Sequence, residues 1–193
     1  WYEIMALSND PEAEIRLNGL MDGSKQGDSV VRYIFSLLGV KTSFKSTELG
    51  VPTTVTLKRH KCMLPRLEYD FTGSPDLAQT FVVCCALMGI KFHFTGLGSL
   101  KIKETDRIEA LKKELKKLGY IIKDKNDNEL IWDGDRCEPT TETIDTYEDH
   151  RMAMSFAPVA LKIPGLKINN PEVVSKSYPK FWKDLNTAGF TIE

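Results

Sequence analysis

Three segments of this chain end in the same way. Leu17-Asn18-Gly19-Leu20, Phe94-Thr95-Gly96-Leu97 and Ile168-Asn169-Asn170-Pro171 each close an apolar helix-then-strand stretch, at separations of about 77 and about 74 residues. After each comes a polar loop and a second helix. Those helices run out at Leu38-Gly39-Val40, Leu118-Gly119-Tyr120 and Ala188-Gly189-Phe190, with glycine just past the helix end. A period of this length leaves few folds open: about three like units, packed so that each covers its neighbour's apolar face.

The two helices of a unit differ in kind. Pro75 to Met88 and Arg151 to Leu161 are apolar nearly all round, which predicts inner helices buried on every side. Ile108, Leu111, Leu115 and Leu118 recur at spacings of three and four, with Glu109, Lys112, Lys113, Glu114, Lys116 and Lys117 between them. That pattern predicts an outer helix with one apolar and one wet face, and Asp106 with Glu109 three residues on resembles a capping box at its start. Strands are expected at 14–17, 41–44, 53–57, 91–94, 121–123, 129–132 and 166–168, from short β-branched and aromatic runs. Lys58 to Asp70 is the loosest stretch and reads as a surface connection. The sum is an α/β domain of repeated helix-strand units with buried inner and amphipathic outer helices, occupying residues 1–193 as one domain. Trp1 to Leu7 already reads as helix interior with no capping residue ahead of it, so the natural chain is expected to begin upstream.

Charge is nearly balanced, with 26 basic against 27 acidic residues, so no overall field points to nucleic acid or to an anionic membrane. Any anion site must be built locally. The four cysteines, at 62, 84, 85 and 137, form no C-x-x-C pair, which argues against zinc and against a disulfide framework and fits reduced thiols in a cytoplasmic protein. No stretch has the length or composition of a membrane span or a signal peptide.

Helix starts are where such a site can be made. They offer unpaired N–H groups and a partial positive charge. Asp76 opens one inner helix, His150 and Arg151 open another, and Lys103, Glu104 and Arg107 flank the start of the outer helix. If the units pack about a shared axis, these starts converge on one face able to hold phosphate or carboxylate groups, with lysine as a point charge and arginine as a fork. Each residue taken singly also has a plainer reading: a solvated cap for 103–107, an ordinary first-turn carboxylate for Asp76, a structural histidine for His150, a surface lysine for Lys176. Asp145, Glu148 and Asp149 show no metal-ligand spacing.

Lys103-Glu104-Thr105-Asp106-Arg107 and Asp149-His150-Arg151-Met152-Ala153-Met154 resemble the two most specific motifs of the shikimate-pathway enolpyruvyl transferases. Pro75-Asp76-Leu77-Ala78-Gln79-Thr80, Gln26-Gly27-Asp28 and Ser175-Lys176-Ser177-Tyr178-Pro179 are similar to further family segments, all in the family's order. The resemblance implies the C-terminal domain of an inverse α/β barrel transferase that joins phosphoenolpyruvate to the 5-hydroxyl of shikimate 3-phosphate and releases phosphate, without metal or organic cofactor. By the same resemblance Asp76 holds the attacking hydroxyl and takes its proton, and Glu104 transfers the proton at the enol carbon. Lys103 lies near the shikimate phosphate and the reacting hydroxyl, Arg107 and Arg151 clamp phosphoenolpyruvate, Lys176 stands beside its phosphate, and His150 lines the pocket. Ser99 occupies a position where the family often has a substrate-binding Asn or His.

In that family a preceding domain supplies the other half of the cleft, so the partners implied are the two anionic substrates and an N-terminal domain absent from this chain. The fragment alone is therefore expected to be inactive. Two other readings stand beside this one: a transferase domain acting on UDP-N-acetylglucosamine, and a non-catalytic repeat domain that binds partners through its outer helices.

Overall fold

The computed structural model describes residues 1–23, 27–46 and 48–193. The first unit contains α1 (Tyr2–Leu7), β1 (Glu14–Leu20), α2 (Val31–Leu37), β2 (Val40–Phe44) and β3 (Thr53–Arg59). The second contains β4 (Arg66–Asp70), α3 (Ala78–Met88), β5 (Lys91–Thr95), α4 (Arg107–Lys117), β6 (Lys123–Lys125) and β7 (Glu129–Trp132), and the third α5 (His150–Phe156) and α6 (Phe181–Thr187). Among the described residues no helix is long and apolar enough to cross a membrane.

The repeat is visible in the sheets. The first has the order β1-β3-β2 and the second β4-β5-β7-β6, so β5-β7-β6 restates the first sheet and β4 adds a strand parallel to β5. In the third unit a lone parallel bridge, Ile144 to Ile168, takes the place of the β4–β5 pair on either side of the inner helix. The strand expected at 166–168 is thus cut to one residue, because Pro164-Gly165 before it and Asn169-Asn170-Pro171 after it leave no room to extend a ladder. The residues that marked the repeat share one backbone state: Gly19, Gly96 and Asn170 all have positive φ, at 82°, 74° and 48°. At Gly96 the approach is also close, since a Cβ there would lie 2.3 Å from Asp70 Oδ1 and 2.4 Å from the Thr72 nitrogen.

Helix α3 packs between α1 and α5 and is buried from Ala78 through Ala86 except at Thr80, as its all-round apolar sequence requires. Phe81 projects from it to meet Phe35 of α2 at 4.6 Å and Phe71 at 5.6 Å. Phe71 meets Phe94 edge-on at 5.1 Å, and Phe94 stacks on Phe92 at 4.6 Å. This run of rings ties the outer helix of the first unit to the sheet of the second. Each such pair adds about 0.5–1.5 kcal/mol to the area it buries.

Further expectations need correction. The strand expected at 121–123 begins only at Lys123, as β6. Residues 66–70 are strand β4, paired with β5 along its whole length, and not loose connection; only Leu67 in it is fully buried, so the sequence lacks a conspicuous apolar run. The inner helix of the third unit stays α-helical only to Phe156 and tightens into a 3-10 turn over Ala157–Leu161, where Pro158 withholds a backbone donor. Glu114 and Lys117, placed on the wet face of α4, are buried at 0 % and 9 % exposure, because the loop leading from Thr143 to Tyr147 lies across that side of the helix.

Candidate active site

Two of the helix starts are built by capping carboxylates. Asp106 precedes α4 in extended backbone and accepts the Glu109 N–H at 3.1 Å. Asp149 precedes α5 and its Oδ1 accepts the Arg151 N–H at 2.8 Å. The third start is the 3-10 turn Pro75–Leu77 that leads into α3, where proline fits the first position and Asp76 follows. Because α3 packs against both α4 and α5, the three starts meet.

Arg107 stands at their centre with its side chain 1 % exposed. Its Nε donates to Asp149 Oδ2 at 2.6 Å and its Nη2 to Asp149 Oδ1 at 3.3 Å. Nη1 donates to Asp76 Oδ1 at 2.8 Å, and Nη2 also to Glu104 Oε2 at 2.7 Å. Asp76 in turn receives Lys103 at 3.4 Å and Arg151 Nη2 at 3.3 Å, while Arg151 Nη1 donates to the Asp76 carbonyl at 3.1 Å. Three carboxylates thus face three cations. A buried guanidinium is tolerable only under such full pairing.

Burial works against the Asp76 carboxylate, but Arg151, Lys103 and Arg107 together outweigh it and hold its pKa below the ordinary aspartate value. It is therefore ionised at neutral pH. Burial also lowers the pKa of His150, against Asp149 which raises it, so the ring is neutral at pH 7, and its Nδ1 is buried with no hydrogen-bond partner among the described residues. Lys176 donates to the Glu148 carbonyl at 2.7 Å, one peptide from Asp149.

The sequence-derived residues are thus largely gathered. Asp76, Lys103, Glu104, Arg107 and Arg151 are in direct contact, His150 sits at the start of α5, and Lys176 joins through the backbone of Glu148. Ser99 is exposed in the 3-10 turn Gly98–Ile102 that leads to Lys103. Arg107, expected to clamp a substrate, is bound to the chain's own carboxylates Asp149, Asp76 and Glu104. Of the Gln26-Gly27-Asp28 segment, Gln26 lies outside the described residues. Sequence reasoning passed over Asp149, which is fully buried and is the main partner of Arg107; its position directly before the helix was the signal that marked it as a cap. Among the described residues no group of three or more His, Cys, Asp or Glu side chains could hold a metal ion.

The stacked α/β units thus gather three carboxylates and three cations at three helix starts. Residues 5–185 match the family model for EPSP synthase (3-phosphoshikimate 1-carboxyvinyltransferase), and the chain belongs to that family. It is 57% identical over 194 residues to the 3-phosphoshikimate 1-carboxyvinyltransferase of Bacteroides fragilis (strain ATCC 25285), a match covering 100% of this chain and 45% of that protein. It is 32% identical over 178 residues to the protein of the same name from Methanobrevibacter smithii, covering 92% of this chain and 38% of that one. A solved EPSP synthase from Acinetobacter baumannii superposes with a TM-score of 0.76 at 22% identity, over 100% of this chain and 45% of that chain, which establishes a shared fold. The chain thus spans less than half the length of the relatives it matches.

Proposed function

We propose that these residues form one wall of the active site of a 3-phosphoshikimate 1-carboxyvinyltransferase. The observation that carries this reading is Asp76, held ionised between Lys103 and Arg151 at a confluence of three helix starts. In the reaction the 5-hydroxyl of shikimate 3-phosphate adds to C2 of phosphoenolpyruvate while C3 takes up a proton. The resulting tetrahedral ketal then loses a proton from C3 and breaks its C2–O bond to phosphate. Asp76 is suited to accept the hydroxyl proton. Glu104, 40 % exposed and tied to Arg107 through one oxygen, is suited to give and then remove the proton at C3.

Lys103 and Arg151, about one third exposed, remain within reach of an arriving phosphate or carboxylate, and Lys176 can exchange the Glu148 carbonyl for a phosphate oxygen. An anion would also compete with Asp76 and Glu104 for the Nη groups of Arg107. Ile102, 85 % exposed beside Lys103, is the kind of apolar rim that another body covers. The family match and the names of the relatives favour the shikimate substrate over the UDP-sugar and over a non-catalytic role. On this reading the cation set is half of what two phosphorylated substrates need, and the remaining length of the full protein supplies the opposite wall.

The test is a hybrid in which these 193 residues replace the matching segment of the Bacteroides fragilis protein. Phosphate release from phosphoenolpyruvate should depend on shikimate 3-phosphate in the hybrid and be absent with the 193-residue chain alone. A folded hybrid that releases no phosphate contradicts the proposal.

A further inference from the structure

Tyr147 and Glu148, the two residues ahead of Asp149, both have left-handed backbone, with φ of 53° and 55°. Consecutive non-glycine residues in that state persist only where the surroundings hold them there. Here the restraints can be named. Glu114, fully buried in α4, accepts the Tyr147 hydroxyl through Oε1 at 2.5 Å and the Asp145 N–H through Oε2 at 3.1 Å, so one carboxylate grips the loop on both sides of Thr146. Lys117 secures that carboxylate at 2.7 Å and also reaches Asp145 Oδ2 and the Thr143 carbonyl at 2.9 Å. The Asp149 N–H returns to the Thr146 carbonyl at 2.9 Å, and Lys176 holds the Glu148 carbonyl from outside.

Glu114 lies two helical turns beyond Arg107 on the same face of α4. The contacts therefore close a circuit: Arg107 runs along α4 to Glu114, across to Tyr147, through the left-handed pair to Asp149, and back to Arg107 Nε. We infer that Glu114 and Tyr147 are positioning residues, which fix the Tyr147–Glu148 turn and through it set Asp149 against the Arg107 guanidinium. Neither touches the site. Its catalytic consequence rests on the function proposed above, but the geometry can be read without any turnover.

The experiment uses the 193-residue chain and follows the Arg107 Nε–H resonance in proton–nitrogen spectra, with Asp149→Asn to assign it. Tyr147→Phe keeps the ring and removes the hydroxyl. It should speed solvent exchange of that proton by about tenfold or more, the scale of losing a hydrogen bond to a carboxylate. Val55→Ala, in the core of the first sheet, supplies a variant destabilised elsewhere. Exchange that rises equally in both variants, or does not rise in Tyr147→Phe, overturns the inference. If Tyr147→Phe does not fold, Lys176→Met loosens the same turn from its exposed side. It should also speed exchange, and an unchanged rate there overturns the inference as well.

Discussion

The pair Arg107–Asp149 gives the sharpest energetic expectation. Asp149 is fully buried and Arg107 1 % exposed, and two of the four carboxylate contacts of the guanidinium come from Asp149. Asp149→Asn preserves the side-chain oxygen that caps α5 and removes the charge. Breaking a buried pair by removing one partner costs about 3–5 kcal/mol. Asp76 and Glu104 still neutralise the arginine, which places the expectation at the lower end, about 3 kcal/mol. For a domain of this size that corresponds to a fall in Tm of roughly 6–12 °C. Asp149→Ala should cost about 1 kcal/mol more, because the cap is lost too. Urea denaturation of the 193-residue chain, with Cm and m fitted for Asp149→Asn, Asp149→Ala, Arg107→Met and the double variant Arg107→Met/Asp149→Asn, measures these terms. The double variant should be less destabilised than the sum of its singles by at least about 1 kcal/mol, since it leaves no buried guanidinium without its partner. A cost under about 1 kcal/mol for Asp149→Asn, or strict additivity in the cycle, would refute the claim that this pair organises the cluster.

Two further expectations follow from other parts of the molecule. Burial raises the Glu3 carboxyl well above the ordinary glutamate value of 4.5. A raised pKa in the folded state means that stability is full below about 4.5 and declines as pH rises toward the folded value. Glu3→Gln should therefore raise Tm at pH 8 and change it little at pH 5, and equal shifts at both pH values would show that the carboxyl does not titrate in this way. Gly165 and Gly96 have similar φ of 80° and 74°, but a Cβ at Gly165 meets nothing within 4 Å while one at Gly96 meets Asp70 and Thr72. Gly165→Ala should cost about 1 kcal/mol from backbone strain alone, and Gly96→Ala at least about 2 kcal/mol more. Denaturation curves of equal midpoint would remove close packing as the reason for glycine at 96.

How much of this was legible in the amino-acid order depends on the range of the interaction. The outer helix α4, with Leu111 and Leu115 inward and Asp106 as its cap, rests on contacts within a few residues, and so does the glycine at each helix end. The inner helix α3 was legible from composition, because a helix buried on all sides has no polar stripe. Strand β4 was passed over although Arg66-Leu67-Glu68-Tyr69-Asp70 alternates polar and apolar residues, because the stretch is short and its pairing with β5 is a property of two segments. Glu114 and Lys117 look like surface residues on any helical projection of α4. Only the fold brings the 143–147 loop across them. In the same way the motif residues 76, 103, 104, 107 and 151 could be named as candidates from their places at helix starts, but the saturation of Arg107 by Asp149, Asp76 and Glu104 could not. That depends on three segments meeting, and nothing local to 107 announces it.

The central claim is that Asp76, held ionised by Lys103, Arg107 and Arg151, takes the proton from the attacking hydroxyl. It is tested most directly by placing Asp76→Asn in the hybrid with the Bacteroides fragilis protein and timing phosphate release at saturating phosphoenolpyruvate and shikimate 3-phosphate. Asparagine fills the same space and cannot accept the proton. The turnover rate should fall by at least about a hundredfold, the scale of a lost general base. A folded hybrid that keeps its turnover rate with Asn at 76 would contradict the account.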